Sequence, residues 1–138
     1  MVGQTVAVDL DGTLIDAAWP AIGGFRPGAI EAMHKLHEAG AHLVVWTART
    51  NPIDPWGTPR GSNIVFEEIQ AVRRLLDDAG LTFVAIHDHR LGKPSAAVYI
   101  DDRAERYGGL STSWAKLVPR VLMRCKGAAE FPPTAGGY

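Results

Sequence analysis

Short apolar runs alternate along this chain with stretches in which apolar residues recur every three or four positions. The first run, Thr5-Val6-Ala7-Val8-Asp9-Leu10, is rich in β-branched residues and carries no charge before Asp9, which predicts a buried strand over 5–10. Residues 13–26 include Trp19, Pro20, Gly23 and Gly24 and predict an irregular loop or small hairpin. Pro27 suits a helix start, Ile30, Met33, Leu36 and Ala39 repeat at helical spacing, and Gly40 supplies the stop. His42-Leu43-Val44-Val45-Trp46-Thr47 is the second strand. A breaker-rich segment over 51–61 follows, then a second helix capped by Ser62 or Asn63, with Val65, Ile69, Val72, Leu76 and Ala79 on one face and Gly80 at its end. A third strand is expected over 81–86, a polar loop over 87–92, and a fourth strand over 97–100 that runs into Asp101-Asp102. Beyond it the pattern predicts a short strand or turn over 103–107 and a helix over 114–123, in which Pro119 imposes a kink or a new start.

Strands alternating with helices imply an α/β fold with right-handed crossovers, a mainly parallel sheet and helices on both faces. With 138 residues the chain suits one domain, assigned here to 1–126, followed by a Gly-, Ala- and Pro-rich tail over 127–138 expected to be loosely held. Open parallel sheets bind ligands beyond the carboxyl ends of their strands. The polar residues there are Asp9 and Asp11, Thr47 and Arg49, His87 to Lys93, and Asp101 with Asp102. Separate strands thus deliver reactive groups to one edge.

Composition narrows the chemistry. A net charge of −1 gives no global basic field to attract nucleic acid. A single cysteine, Cys125, excludes an internal disulfide and a cysteine-rich zinc site and fits a reducing compartment. No stretch reaches the roughly 20 apolar residues needed to span a membrane, and no basic segment leads into a long apolar run, so a cytoplasmic protein without a signal peptide is expected. Carboxylates crowded on one edge repel unless a hard cation sits among them, and oxygen ligands without Cys or clustered His favour Mg²⁺. Lys93 adds a compact positive charge and Thr47 a neutral donor, a combination suited to a phosphoryl group. One Asp can serve as nucleophile and another, two residues on, as proton carrier.

These residues resemble the haloacid dehalogenase superfamily of phosphohydrolases. Asp9-Leu10-Asp11-Gly12-Thr13 is similar to the first family motif, Thr47 at the end of an apolar strand to the second, Lys93 in Gly92-Lys93-Pro94-Ser95 to the third, and Asp101-Asp102 after Val98-Tyr99-Ile100 to the acidic fourth. The motifs keep the family order from residue 5 to about 107. The resemblance implies a three-layered α/β/α, Rossmann-like sandwich with strand order 5-4-1-2-3. It implies Asp9 as nucleophile, Asp11 as general acid and base, and Mg²⁺ held by Asp9, the Asp11 main-chain carbonyl and the fourth-motif acids, with Asp102 as direct ligand and Asp101 bound through water. Thr47, Lys93, Gly12 and Arg49 are assigned to the phosphate. An Asp at position 11 fits phosphatases and phosphomutases and argues against the dehalogenase and ion-pump branches. The gaps at 13–27 and 87–92 are too short for a cap domain, so a small capless type is expected, closest in pattern to bacterial and phage hydrolases. The implied activity is hydrolysis of a phosphomonoester, on a small molecule or a nucleic acid end, through an aspartyl-phosphate.

Other readings compete. A receiver-type signalling domain uses the same groups, but meets its acceptor Asp near mid-chain after an acidic pair, whereas here the acceptor comes first. A catalytically idle binding member of the same fold and a phosphotransferase are further alternatives. A calcium loop would need acids where Thr13 and Pro20 stand. Arg49 could pair with the fourth-motif acids or reach substrate. His87, Asp88 and His89 read as a polar rim rather than a metal site, and His34 and His37 as surface residues. Trp19 and Trp56 could stack on substrate or bury in a contact between copies of the chain, which makes a homo-oligomer an expectation. Lys116, Arg120 and Arg124 repeat every four residues, the pattern of a solvated helix face or a polyanion contact.

Overall fold

The computed structural model describes residues 3–107 and 113–128. The chain divides after Asp102 into two compact units. In the first, strands β1 (Thr5–Val8), β2 (His42–Val45), β3 (Ala85–Ile86) and β4 (Val98–Ile100) form one sheet in the order β3-β2-β1-β4, and every pairing is parallel. Helix α1 (Ala29–Glu38) joins β1 to β2, and α2 (Ser62–Asp78) joins β2 to β3. The expected α/β class and parallel sheet are therefore present.

The register explains the core. Val6 pairs with Leu43 and Val8 with Val45, so these four side chains share one face. They belong to a single buried cluster with Met33 of α1 and Val72 and Leu76 of α2. Both crossover helices, α1 and α2, therefore lie on that face. The strand order supplies the reason: β1, β2 and β3 are laid down in one direction, and two right-handed crossovers of the same sense put both helices on one side. Ala7 and Val44 point to the other face. Of the expected α1 stripe, Met33 is buried, Ile30 and Leu36 are half-buried, and Ala39 is exposed.

Several boundaries differ from expectation. β3 is two residues long instead of spanning 81–86. Leu81 and Val84 are buried as expected, but their carbonyls accept from the Arg73 guanidinium at 3.2 and 2.6 Å, and the Leu81 amide donates to Leu76 at the end of α2. Their backbone groups are satisfied without a neighbouring strand. The cap of α2 is Gly61, and Ser62 is the first helical residue, with no side-chain capping bond. Residues 13–26 form the expected flap: Ile15 bridges Phe25, Asp16 N donates to Gly24 O, and Arg26 N donates to Leu14 O. Neither this gap nor 87–92, which holds a 3₁₀ turn at His89–Leu91, contains a folded insertion.

In the second unit, of the strand or turn expected over 103–107, no strand forms and the chain bends at Arg103. Helix α3 runs Trp114–Ala128, longer than expected, with Pro119 inside it. Two cations of its basic stripe turn to one acid: Arg120 and Arg124 lie 3.3 and 3.4 Å from Glu105, and Arg124 also donates to Ala104 O. Of the loose tail expected over 127–138, Gly127 and Ala128 belong to α3 and the rest lies outside the described residues.

Leu76 is 0% exposed between α2 and the sheet, whereas Leu91 is 75% exposed. Leu76→Ala should lower the unfolding free energy by about 2–5 kcal/mol, and Leu91→Ala should change it by less than ~0.5 kcal/mol; urea denaturation of both variants checks the pair.

Candidate functional site

The sheet ladder continues one residue beyond its strands. Asp9 N donates to Ile100 O at 2.9 Å, Trp46 N to Val8 O at 3.0 Å, and His87 N to Val45 O at 2.9 Å. Because all strands run parallel, the residues that follow them meet on one edge. After Asp9 the chain turns sharply: Leu10 O accepts from the amides of Thr13, Leu14 and Ile15, and Gly12 takes a φ of 84°.

At this edge Asp9, Asp101 and Asp102 each place a carboxylate oxygen so that the three lie within 4.8 Å of one another. Asp9 is 5% exposed. One of its oxygens accepts from the Thr13 hydroxyl at 3.3 Å, and the other, Oδ1, is buried without a hydrogen-bond partner. Burial, the charge of Asp101, and then contact with Asp102 push its carboxyl up to about 8. A buried orphan oxygen beside two further carboxylates is a strained arrangement for the protein alone and a fitting one for a hard divalent cation, which takes oxygen ligands. Among the described residues this is the one cluster of three or more His, Cys, Asp or Glu side chains so placed. Gly12 belongs to its construction. A Cβ there would overlap Asp102 Oδ2, so only glycine, which also tolerates the positive φ, lets Asp102 approach. The Gly12 amide, assigned to phosphate from sequence, instead donates to Ile15 O at 2.8 Å.

Asp11 is not part of this cluster. Its two oxygens accept from Arg49 Nε and Nη2, both at 2.7 Å, in a fork in which both side chains are almost fully buried. Arg49 also donates to the Pro20 and Ala21 carbonyls of the flap at 3.1 and 2.6 Å and lies 3.7 Å from Glu68 of α2. Its guanidinium carbon sits 4.9 Å from the centre of the Trp19 ring. Arg49 thus pairs with Asp11, not with Asp101 or Asp102 and not with a substrate, since each of its nitrogens is held by a protein oxygen. Trp19 covers this cation; Trp56 is largely exposed.

Thr47 is buried and caps the 3₁₀ turn Ala48–Thr50. Its Oγ1 accepts from Arg49 N at 3.2 Å, so its one O–H remains to donate. Its carbonyl is held by the His89 ring nitrogen Nε2 at 2.6 Å and by the Thr50 hydroxyl at 3.2 Å. Burial holds the His89 imidazole below its ordinary pKa, so the neutral ring donates through Nε2. The His87 ring contacts Gly92 O at 2.7 Å, and the exposed Asp88 carboxyl is lowered to about 2 by its bonds to Arg90. The 87–92 segment is therefore a brace for the Thr47 turn. The Lys93 ammonium rests 4.4 Å from the centre of the Tyr99 ring, and among the described residues it forms no ion pair. His34 and His37 lie outside the site, packed on Phe83 with His37 stacked at 3.9 Å.

Sequence reasoning missed the brace from His89 and the clamp formed by Arg60, which donates to the carbonyls of Ala48, Arg49 and Asn51. No local pattern announces either. A cavity of about 510 Å³ also opens between the start of α2 and the segment after β3, walled by Val65, Phe66, Ile69, Ile86 and His89.

No protein-family model matches the chain, and a search of curated proteins finds no match. A solved structure described as a conserved protein coded by a locus from Bacteroides thetaiotaomicron is similar at 26% identity, over 88% of this chain and 91% of that chain, with a TM-score of 0.48. No helix among the described residues is long and apolar enough to cross a membrane.

The raised carboxyl of Asp9 has a definite sign. The folded protein keeps this proton to about pH 8, whereas an unfolded Asp loses it near 3.8, so the contribution of Asp9 to stability falls as pH rises between those values. A divalent cation must displace the proton. Mg²⁺ affinity should therefore rise toward pH 8 and level off above it, with about one proton released per ion at pH 6. Calorimetric titration in buffers of different ionisation enthalpy measures this, and Asp9→Asn should remove the proton release.

Proposed function

We propose that the protein is a Mg²⁺-dependent phosphomonoester phosphatase of the haloacid dehalogenase type, working through an aspartyl-phosphate on Asp9. The observation that carries this reading is the cluster of Asp9, Asp101 and Asp102 around a buried, unpartnered Asp9 oxygen, on the same sheet edge as buried Thr47. On this reading the observed strands are strands one to four of a three-layered sandwich with order 5-4-1-2-3, and the small flap leaves the site open to a phosphate on a small molecule or a nucleic acid end.

The cation would be held by Asp9, Asp102 and Asp101 with the main-chain carbonyl of Asp11, and would supply positive charge to the phosphoryl oxygens. The remaining work falls to side chains. A carboxylate oxygen of Asp9 attacks phosphorus, the bond from phosphorus to the ester oxygen breaks, and the leaving oxygen takes a proton from Asp11. Water then attacks the aspartyl-phosphate and gives a proton to Asp11. The bond from Asp9 oxygen to phosphorus breaks, and inorganic phosphate leaves. Thr47 donates its free O–H to a phosphoryl oxygen. Lys93 swings from Tyr99 on its four-carbon stem to balance the charge when substrate is present.

A panel of phosphomonoesters, including 3′- and 5′-phosphorylated oligonucleotides, should yield inorganic phosphate with Mg²⁺ and not after chelation. Asp9→Asn, nearly isosteric, should keep the circular dichroism spectrum and lose turnover by on the order of 10⁴-fold or more. Phosphatase activity that survives in that variant would overturn the proposal.

A further inference from the structure

Arg49 is 1% exposed, yet it lies in the middle of a polar assembly rather than in the hydrophobic core cluster. Four of its five N–H groups have an identified use: Nε and one from Nη2 go to Asp11, the second from Nη2 to Ala21 O, and one from Nη1 to Pro20 O. Glu68, 3.7 Å from Nη1, balances it from α2, and Trp19 covers its face. An isolated structural ion pair needs only the first two of these bonds. Here one guanidinium ties the Asp11 carboxylate at the end of β1 to two consecutive carbonyls of the 13–26 flap and to the second crossover helix.

We propose that Arg49 is the positioning residue for Asp11, setting its carboxylate at the sheet edge and coupling that placement to the seating of the flap. The inference rests on the phosphatase reading for the role of Asp11. The fork takes one lone pair of each Asp11 oxygen and so fixes the plane of the carboxyl group. Arg49 itself touches neither phosphate nor metal. A lysine in its place supplies the charge but cannot make the two-toothed contact or reach both flap carbonyls in the same plane.

Two esters separate this role from general support. Expulsion of an alkyl alcohol needs a proton from Asp11, whereas expulsion of 2,4-dinitrophenolate needs none. The quantity compared is kcat/KM, which reports on attack by Asp9 and not on the later hydrolysis. In Arg49→Lys, kcat/KM for the alkyl phosphate should fall by about 10²-fold or more, and by far less for the dinitrophenyl ester. Asp11→Asn should show the same selectivity, and combining the two changes should lose no more than Asp11→Asn alone. In the metal-free Arg49→Lys protein, the Asp16 and Arg26 amides, which bond across the flap, should exchange hydrogen faster than in the native chain. Arg49→Ala extends the series where it folds; the lysine variant carries the test where it does not. Equal losses on both esters, additive losses in the double variant, or unchanged flap exchange would each overturn the role of Arg49 while leaving the phosphatase reading intact. A native protein inactive on both esters would overturn that reading and this inference with it.

Discussion

The buried pair of Asp11 and Arg49 is the interaction around which the polar edge of the sheet is assembled. A guanidinium at 1% exposure needs its charge balanced and its donors placed, and Arg49 balances its charge and places four of its five N–H groups by drawing on three separate segments of chain. Removing one partner of such a pair costs about 3–5 kcal/mol, because the other charge is left buried alone. That penalty makes the pair a device of specification more than of net stability. The turn after Asp9, the Ala48–Thr50 turn, the flap and α2 must all be in place before Arg49 is satisfied.

The same edge holds a second group of charges treated in the opposite way. Asp9, Asp101 and Asp102 approach one another, and Asp9 holds its proton to about pH 8 because burial and its acidic neighbours disfavour the ion. Gly12 permits this approach instead of blocking it. Two aspartates separated by Leu10 therefore have different environments: one carboxylate is compensated by the protein, and the other is left for something brought from outside. Pairs of acids with divergent surroundings are the usual basis for a division of roles between nucleophile and proton carrier.

Support for this edge comes from modest means. β3 has two residues and β4 has three, but the parallel ladder is extended past the strands by the Asp9, Trp46 and His87 amides. His89 and Arg60 donate to the carbonyls of the turn that follows β2, where no strand neighbour remains to donate to them. Thr47 is thereby fixed from the backbone side, and its hydroxyl is spared for other use.

Much of this was legible in the chain itself. Apolar periodicity located all four strands of the sheet and the helices, and the parallel order follows from their alternation. The convergence of Asp9, Asp101 and Asp102 follows in turn, since residues ending parallel strands must share an edge. What periodicity does not encode is which polar group each side chain finally meets. Arg49 and Asp11 are 38 residues apart, and His89 and Thr47 are 42 apart; such pairings exist only once the crossovers have closed. The same holds for Lys93, drawn to the Tyr99 ring, for Gly12, whose missing side chain matters only because Asp102 arrives from another strand, and for Leu81 and Val84, whose carbonyls Arg73 takes before a longer strand can form. Local spacing determined where the acids would stand, because the pleat and the parallel order carry strand ends to a common edge. Tertiary structure alone decided which acid received a cation from the protein, because that depends on contacts between segments distant in sequence.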